Sequence, residues 1–136
     1  MTEATITIED YQAPNTKGVI KVVNIAGQLD ESNVDDKMQE IYKVIEPIPT
    51  GLKLLLNFEN LDYMNSKSIG YVTDLYGKIT KGSGLIVIAN AKNNILDILK
   101  VVGLTQLIKT FDNMDQAKNY LAGTSSAEAL SEPPAQ

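Results

Sequence analysis

Two hydroxyl groups and a lysine lie close together in the segment Asn65-Ser66-Lys67-Ser68. Apolar residues recur at helical spacing from Ile69 onward, so the segment is predicted to lie where a loop meets a helix N-terminus. The first backbone N–H groups of a helix lack partners within it, and together with the helix dipole they can accommodate a phosphate. Phosphorylation of a serine here would add about −1.5 to −2 charge to a surface that is expected to include Asp62. The simpler interpretation, compatible with the first, is that Asn65 or Ser66 caps the helix.

Two residue types that are common in enzyme active sites, histidine and cysteine, are missing from the chain. Its 136 residues include no histidine and no cysteine, which removes the commonest general base, the thiolate nucleophile and the usual transition-metal ligands. The formal net charge of −5 argues against a nucleic-acid partner. No apolar run approaches the roughly 18 to 20 residues of a membrane span, and no secretory signal opens the sequence. We therefore predict a cytoplasmic binding protein rather than an enzyme, with no cofactor, no metal and no membrane insertion.

The elements that position the serine segment follow from hydrophobic periodicity. Residues 4–9 alternate in polarity and residues 18–25 are rich in β-branched side chains, which predicts an N-terminal antiparallel hairpin. The remainder alternates helices with apolar strands, which predicts parallel βαβ crossovers. The predicted strands are 52–58, 85–89 and 107–111, and the predicted loops are 10–17, 26–32 and 59–65. The predicted helices begin near Asn33, near Ser66, at Asn93 or Asn94, and at Asp112 or Asn113. Residues 1–122 are expected to form one domain, and residues 123–136 a disordered tail.

Three stretches of sequence resemble the STAS family, whose simplest members are bacterial anti-sigma-factor antagonists. Residues 26–30, Ala-Gly-Gln-Leu-Asp, are similar to the family's Gly-Glu-Leu-Asp turn. Residues 55–70 are similar to the family's signature strand, loop and helix start, and their end, Asn-Ser-Lys-Ser-Ile-Gly, stands where the family usually has Asp-Ser-Ser-Gly-Leu-Gly. Residues 102–108 resemble a Gly-Leu segment before the last strand. The resemblance implies a single STAS-type α/β domain: a mixed, mostly parallel sheet of about five strands with an N-terminal antiparallel hairpin, covered by about four helices.

The same resemblance implies a function and its residues. The first serine of the family motif is the phosphorylated one, and it corresponds to Ser66. The resemblance implies that an anti-sigma factor that is also a serine kinase modifies Ser66. It further implies that only the unphosphorylated form binds that kinase and frees a sigma factor, so that transcription is regulated indirectly. The implied partner-binding residues are Gln28, Asp30, Asn65, Ser66, Lys67, Ser68 and Ile69. Asn65, Lys67 and Ser68 depart from the usual motif, and Gln28 replaces its Glu. A monomer or weak dimer is expected.

Several alternatives are left open by the sequence. The chain is either such a phosphorylation-controlled antagonist or a constitutive STAS subunit of a larger stress-signalling or lipid-transport assembly. Binding of a small phosphorylated molecule by Lys67 and the helix start is a third candidate. Asp30 is either a partner contact or the acidic residue of an Asx turn. Tyr63 and Tyr71 are either contact anchors or buried residues, and Glu31, Asp35 and Asp36 form an acidic group that is either a cation site or a solvated helix face.

Overall fold

The computed structural model describes residues 3–12 and 20–124. These residues form six strands and four α-helices, with a short 3₁₀ helix at Leu104–Gln106. In chain order the elements are β1 (Ala4–Tyr11), β2 (Ile20–Leu29), α1 (Val34–Ile45), β3 (Lys53–Asn57), β4 (Leu61–Met64), α2 (Ser66–Lys81), β5 (Leu85–Ala89), α3 (Asn93–Val101), β6 (Lys109–Phe111) and α4 (Met114–Gly123).

The central sheet is mixed and mostly parallel. Its strand order is β1-β2-β3-β5-β6, with β4 placed beside β2 off this path. β1 runs antiparallel to β2 from Ala4 opposite Gly27 to Tyr11 opposite Ile20, and all other pairs are parallel. The predicted fold class, with its N-terminal hairpin and four helices, is confirmed.

The strand count of about five omitted β4, and the predicted end of β2 was wrong. β2 continues through residues 26–29, which were predicted to be a loop, and β4 occupies residues 61–64 of another predicted loop. The reason is long-range pairing: β3 pairs with the first half of β2, and β4 pairs in parallel with its last residues. This pairing stabilises the four residues of β4 as a strand, although their own sequence does not indicate one. Two smaller boundary differences are that β1 runs on to Tyr11 and that β6 begins at Lys109, two residues later than predicted.

Buried side chains form two clusters, one on each face of the sheet. β3 shows the division, because Leu54 and Leu56 belong to the larger cluster while Leu55, between them, belongs to the smaller one. The larger cluster combines the sheet with apolar positions of α1, α2 and α3, and the smaller one includes Ala117 and Leu121 of α4. This arrangement explains why β5 and the middle of β3 are apolar at consecutive positions.

Two predicted segments fall mainly outside the described residues. The loop between β1 and β2 is described only as far as residue 12, and the tail only at Gly123, which ends α4, and Thr124, which is buried. No described helix is both long and apolar enough to cross a membrane.

Candidate functional site

The ends of β2 and β4 bring the two predicted parts of the site together. Leu29 of β2 lies opposite Met64 of β4, and the Asn65 amide donates to the Leu29 carbonyl at 3.2 Å. Asp30 and Asn65 directly follow these residues, so the chain leaves both parallel strands at the same edge of the sheet. The loop after β2 and the start of α2 therefore meet there, although Asp30 and Asn65 are 35 positions apart in the chain.

Asn65 is the N-cap of α2. Its Oδ1 accepts hydrogen bonds from the Ser68 amide at 2.9 Å and from the Ser68 hydroxyl at 2.7 Å. Asn65 itself has extended backbone geometry, with φ −94° and ψ −179°, as an N-cap residue should. Of the two predicted capping candidates, the structure selects Asn65 and leaves Ser66 as the first helical residue.

The two serines of the segment lie in opposite environments. Ser68 is 1% exposed, and its hydroxyl lies between Asn65 Oδ1 and, at 3.4 Å, the Leu29 carbonyl. Ser66 is exposed at the first turn of α2. Ile69, the next residue along, is half-buried and packs against the larger cluster. Of the predicted partner-binding residues in this segment, Ser66 and Lys67 therefore face solvent. Ser68 and Ile69 instead pack against the domain and hold the start of α2 in place.

Lys67 reaches across to α1. Its Nζ lies 2.9 Å from Oδ2 of Asp35, and the Tyr71 hydroxyl donates to the other oxygen, Oδ1, at 2.5 Å. The hydrogen bond from Tyr71, followed by that from Lys67, lowers the pKa of Asp35. Its carboxylate in turn raises the pKa of both Lys67 and Tyr71. At neutral pH the group is a charged pair with a neutral tyrosine, and it ties the first turn of α2 to the first turn of α1.

A groove runs along α1 and α2 from Lys67 and Tyr71. It has a volume of about 320 Å³ and is lined by Tyr42, Lys67, Gly70, Tyr71 and Asp74. The two tyrosine rings lie 6.2 Å apart, and the Tyr42 hydroxyl donates to Asp74. Burial, and then the hydrogen bond to Asp74, raises the pKa of Tyr42. The groove is therefore an open, partly aromatic surface that begins one residue from Ser66.

Comparison with known proteins shows the family of the chain. The sequence matches the STAS domain over residues 10–117. The chain belongs to the STAS domain family.

Solved structures share the same fold at low sequence identity. An anti-sigma factor antagonist from Mycobacterium paratuberculosis is 18% identical and has a TM-score of 0.69, with 86% of this chain and 94% of that chain covered. The unphosphorylated form of the antagonist SpoIIAA is also 18% identical, with a TM-score of 0.67 and coverage of 87% and 98%. The murine anion transporter Slc26a9 is 12% identical, with a TM-score of 0.70, and the match covers 91% of this chain but 23% of the transporter. These likenesses show the fold.

The loop between β2 and α1 in this STAS domain is ordered by its own polar side chains. The Asp30 carboxylate accepts from the Ser32 amide at 2.9 Å and from the Ser32 hydroxyl at 2.6 Å. Asn33, predicted to start α1, lies before its first residue and makes no side-chain cap. Its side chain instead bonds the Asp30 amide and the Gln28 carbonyl, at 3.1 and 2.8 Å. Gln28 is exposed and Asp30 half-exposed, so the predicted Asx turn coexists with an accessible surface.

The acidic residue that contacts the serine segment is Asp35 and not Asp62. Asp62, expected to lie near the serine segment, pairs with Lys92 beside α3, while Asp35 makes the contact with Lys67. Among the described residues, no cluster of three or more acidic side chains is placed to hold a metal ion.

The groove residues Tyr42 and Asp74, and the pairing of Asp35 with Lys67, were not predicted from the sequence. Positions 67, 71 and 74 share one side of α2 by helical spacing, which is the one signal that could have grouped them. Their partners on α1 follow only from the packing of the two helices.

Proposed function

We propose that this STAS domain is a protein-binding module controlled by phosphorylation of Ser66. In its unphosphorylated form it would bind an anti-sigma factor with serine kinase activity, and so act as an anti-sigma-factor antagonist that regulates transcription indirectly in the cytoplasm. The observation that carries the proposal is the contrast between the two serines: Ser66 is exposed, and Ser68 is buried and hydrogen-bonded to the N-cap. A kinase can reach the first hydroxyl without unfolding the helix start.

The proposed binding face combines the loop after β2 with the first turn of α2. Its accessible members are Gln28, Asp30, Ser66 and Lys67, which the paired ends of β2 and β4 bring to one edge of the sheet. A phosphate on Ser66 would change the charge and bulk of this face while leaving the buried Ser68 and Asn65 contacts in place. This supports a switch that acts at the surface rather than by refolding. SpoIIAA, which shares the fold, has been solved in both phosphorylated and unphosphorylated forms.

The proposal is tested first on the protein recovered from its native cells. Intact mass and peptide mapping should find phosphate on Ser66 in a fraction that varies with growth condition. The kinase that co-purifies with a Ser66→Ala variant is then titrated with unmodified protein and with the Ser66→Asp variant. We expect Ser66→Asp to weaken binding at least tenfold, which is about 1.4 kcal/mol.

A charge added just beyond the same helix provides the control. Ser83 is exposed past the other end of α2, so Ser83→Asp adds the same charge far from the proposed face. Ser83→Asp should leave the affinity unchanged. Equal affinities for the unmodified protein and Ser66→Asp would remove the switch from the proposal.

A constitutive role in a larger assembly is the second candidate. Its support is that a domain of this fold makes up about a quarter of Slc26a9, and that Lys67 and Ser68 replace the small residues that usually follow the phosphorylated serine. Stable association with a partner that is not a kinase, insensitive to Ser66→Asp, would favour this candidate. Absence of phosphate on Ser66 across growth conditions would favour it as well.

A further inference from the structure

Lys67 is held by a contact that a stronger anion can replace. Its Nζ lies 2.9 Å from Asp35, and the two side chains are 54% and 55% exposed. Ion pairs this exposed are weak, because water screens them and two side chains must be ordered. Asp35 also accepts a hydrogen bond from Tyr71 at 2.5 Å, so its carboxylate keeps a partner when Lys67 leaves.

A phosphate on Ser66 would lie beside Lys67 in the chain. A phosphoserine carries about −1.5 to −2 charge and three acceptor oxygens, whereas Asp35 offers a single charge that Tyr71 already shares. The exposed lysine stem is long and flexible, so Nζ can swing from α1 toward the start of its own helix. The phosphate is therefore the better partner in both charge and number of acceptors.

We propose that phosphorylation of Ser66 transfers Lys67 from Asp35 to the phosphate and thereby opens the groove between α1 and α2 at the end lined by Lys67 and Tyr71. This inference rests on the proposed function only in taking Ser66 as the modified residue. It adds that the modification changes two surfaces: the start of α2 and the groove one residue away.

The consequence for the groove is a change of charge as well as shape. Lys67 lines the groove and lies close enough to Asp35 and Glu31 that both raise its pKa. When Lys67 leaves, Asp35 loses the cation that lies 2.9 Å from it, while Lys78 still lies 5.8 Å from the Tyr42 ring centroid. The phosphorylated protein thus presents a groove that is more open and more acidic near Tyr71.

The test installs phosphoserine at position 66 during translation, so that no kinase is required. The second ionisation of the phosphate is followed by 31P NMR in the otherwise native protein, in Lys67→Met and in Lys81→Met. Lys81 is exposed at the opposite end of α2 and serves as the matched control. We expect the phosphate pKa to be lower with Lys67 than with methionine by about half a unit or more, and Lys81→Met to behave as native.

A second measurement follows the Asp35 carboxyl carbon by 13C NMR. Phosphorylation should raise the pKa of Asp35 more in the native protein than in Lys67→Met, because only the native protein has a lysine to lose from this carboxylate. A phosphate pKa that is identical in native and Lys67→Met would overturn the inference. A phosphate that senses Lys67 while Asp35 responds equally in both proteins would also overturn it, because Lys67 would then be shared rather than transferred.

These outcomes are separate from those that test the proposed function. If native cells never phosphorylate Ser66, the proposed switch fails while the response of Lys67 to an installed phosphate can still be observed. If the kinase binding is switched by Ser66 but Lys67 does not respond, the proposed function stands and the transfer is wrong.

Discussion

Asn65 both caps α2 and holds a buried hydroxyl. One oxygen, Oδ1, accepts from the Ser68 amide and the Ser68 hydroxyl. A buried hydroxyl without a partner is costly, and the other acceptor near Ser68, the Leu29 carbonyl, is 3.4 Å away. Asparagine in place of the family's usual aspartate therefore keeps the oxygen that the helix start requires and removes a negative charge beside Ser66.

Replacement of Asn65 by alanine should cost more than loss of an ordinary cap. We expect Asn65→Ala to lower the free energy of unfolding by about 2 kcal/mol, because the cap and the acceptor of a buried hydroxyl are lost together. Asn113 caps α4 through its Oδ1 and the Gln116 amide at 2.8 Å, without any buried serine, so Asn113→Ala should cost about 1 kcal/mol. Urea denaturation measures both, and equal costs would show that the Ser68 hydroxyl contributes nothing. Asn65→Asp should retain native stability.

At the scale of elements, β2 organises the site because it pairs with three other strands. β1 lies along its length, β3 along residues 20–24, and β4 along its last residues. The register between β2 and β4 shifts between Gly27 and Gln28, where Gly27 has φ +95° and its amide donates to the Asn60 carbonyl at 2.8 Å. A Cβ at Gly27 would lie 2.3 Å from the carbonyl oxygen of Glu3, the residue before β1. Gly27 thus allows β1 and β4 to flank the end of β2 that leads into Asp30.

Substitution of Gly27 should therefore be more damaging than substitution of another glycine with positive φ. Gly51 has φ +72° and open space where a Cβ would be, so Gly51→Ala should cost about 1 to 2 kcal/mol of stability for the backbone conformation alone. Gly27→Ala should cost about 2 kcal/mol more, because the clash with backbone is added. Thermal or urea unfolding of the two variants measures the difference. Equal losses of stability in the two variants would mean that the Glu3 backbone moves away from the added Cβ without cost.

The whole molecule has a sheet with a cluster of buried side chains on each face. Leu75 of α2 belongs to the larger cluster and Leu121 of α4 to the smaller one, and both are fully buried. β3 contributes to both clusters, so neither can loosen without loss of packing on the central strands. The surface that carries Ser66 and the surface covered by α4 are therefore expected to unfold together.

Truncation on either face should lower the stability of the entire domain in one transition. We expect Leu75→Ala and Leu121→Ala each to cost about 2 to 5 kcal/mol, since both remove a fully buried side chain and leave a cavity. Urea unfolding followed by circular dichroism and by tyrosine fluorescence should give coincident curves in both variants, with unchanged slopes. Separate transitions in Leu121→Ala would indicate that α4 and its face of the sheet form an independent unit.

Local sequence patterns are enough to predict the helices, the strands buried on both faces, the hairpin and the position of Ser66 at the start of α2. These features depend on periodicity, caps and turn residues within one segment, and such local preferences survive folding because the fold agrees with them. The three stretches at residues 26–30, 55–70 and 102–108 together also indicate the family by their residue types. The same patterns do not choose between Asn65 and Ser66 as the cap, or between Ser66 and Ser68 as the exposed hydroxyl.

The contacts between elements depend instead on how the chain packs. β4 exists because the end of β2 offers it backbone partners, and Lys67 finds Asp35 because α1 and α2 pack side by side on the same face of the sheet. Ser68 is buried because α2 begins against the end of β2, where the Ser68 hydroxyl lies 3.4 Å from the Leu29 carbonyl. Each of these contacts joins residues that are distant in the sequence and lie on different elements or at their ends. No periodicity within one segment encodes them, since their free energy depends on the distances that packing sets.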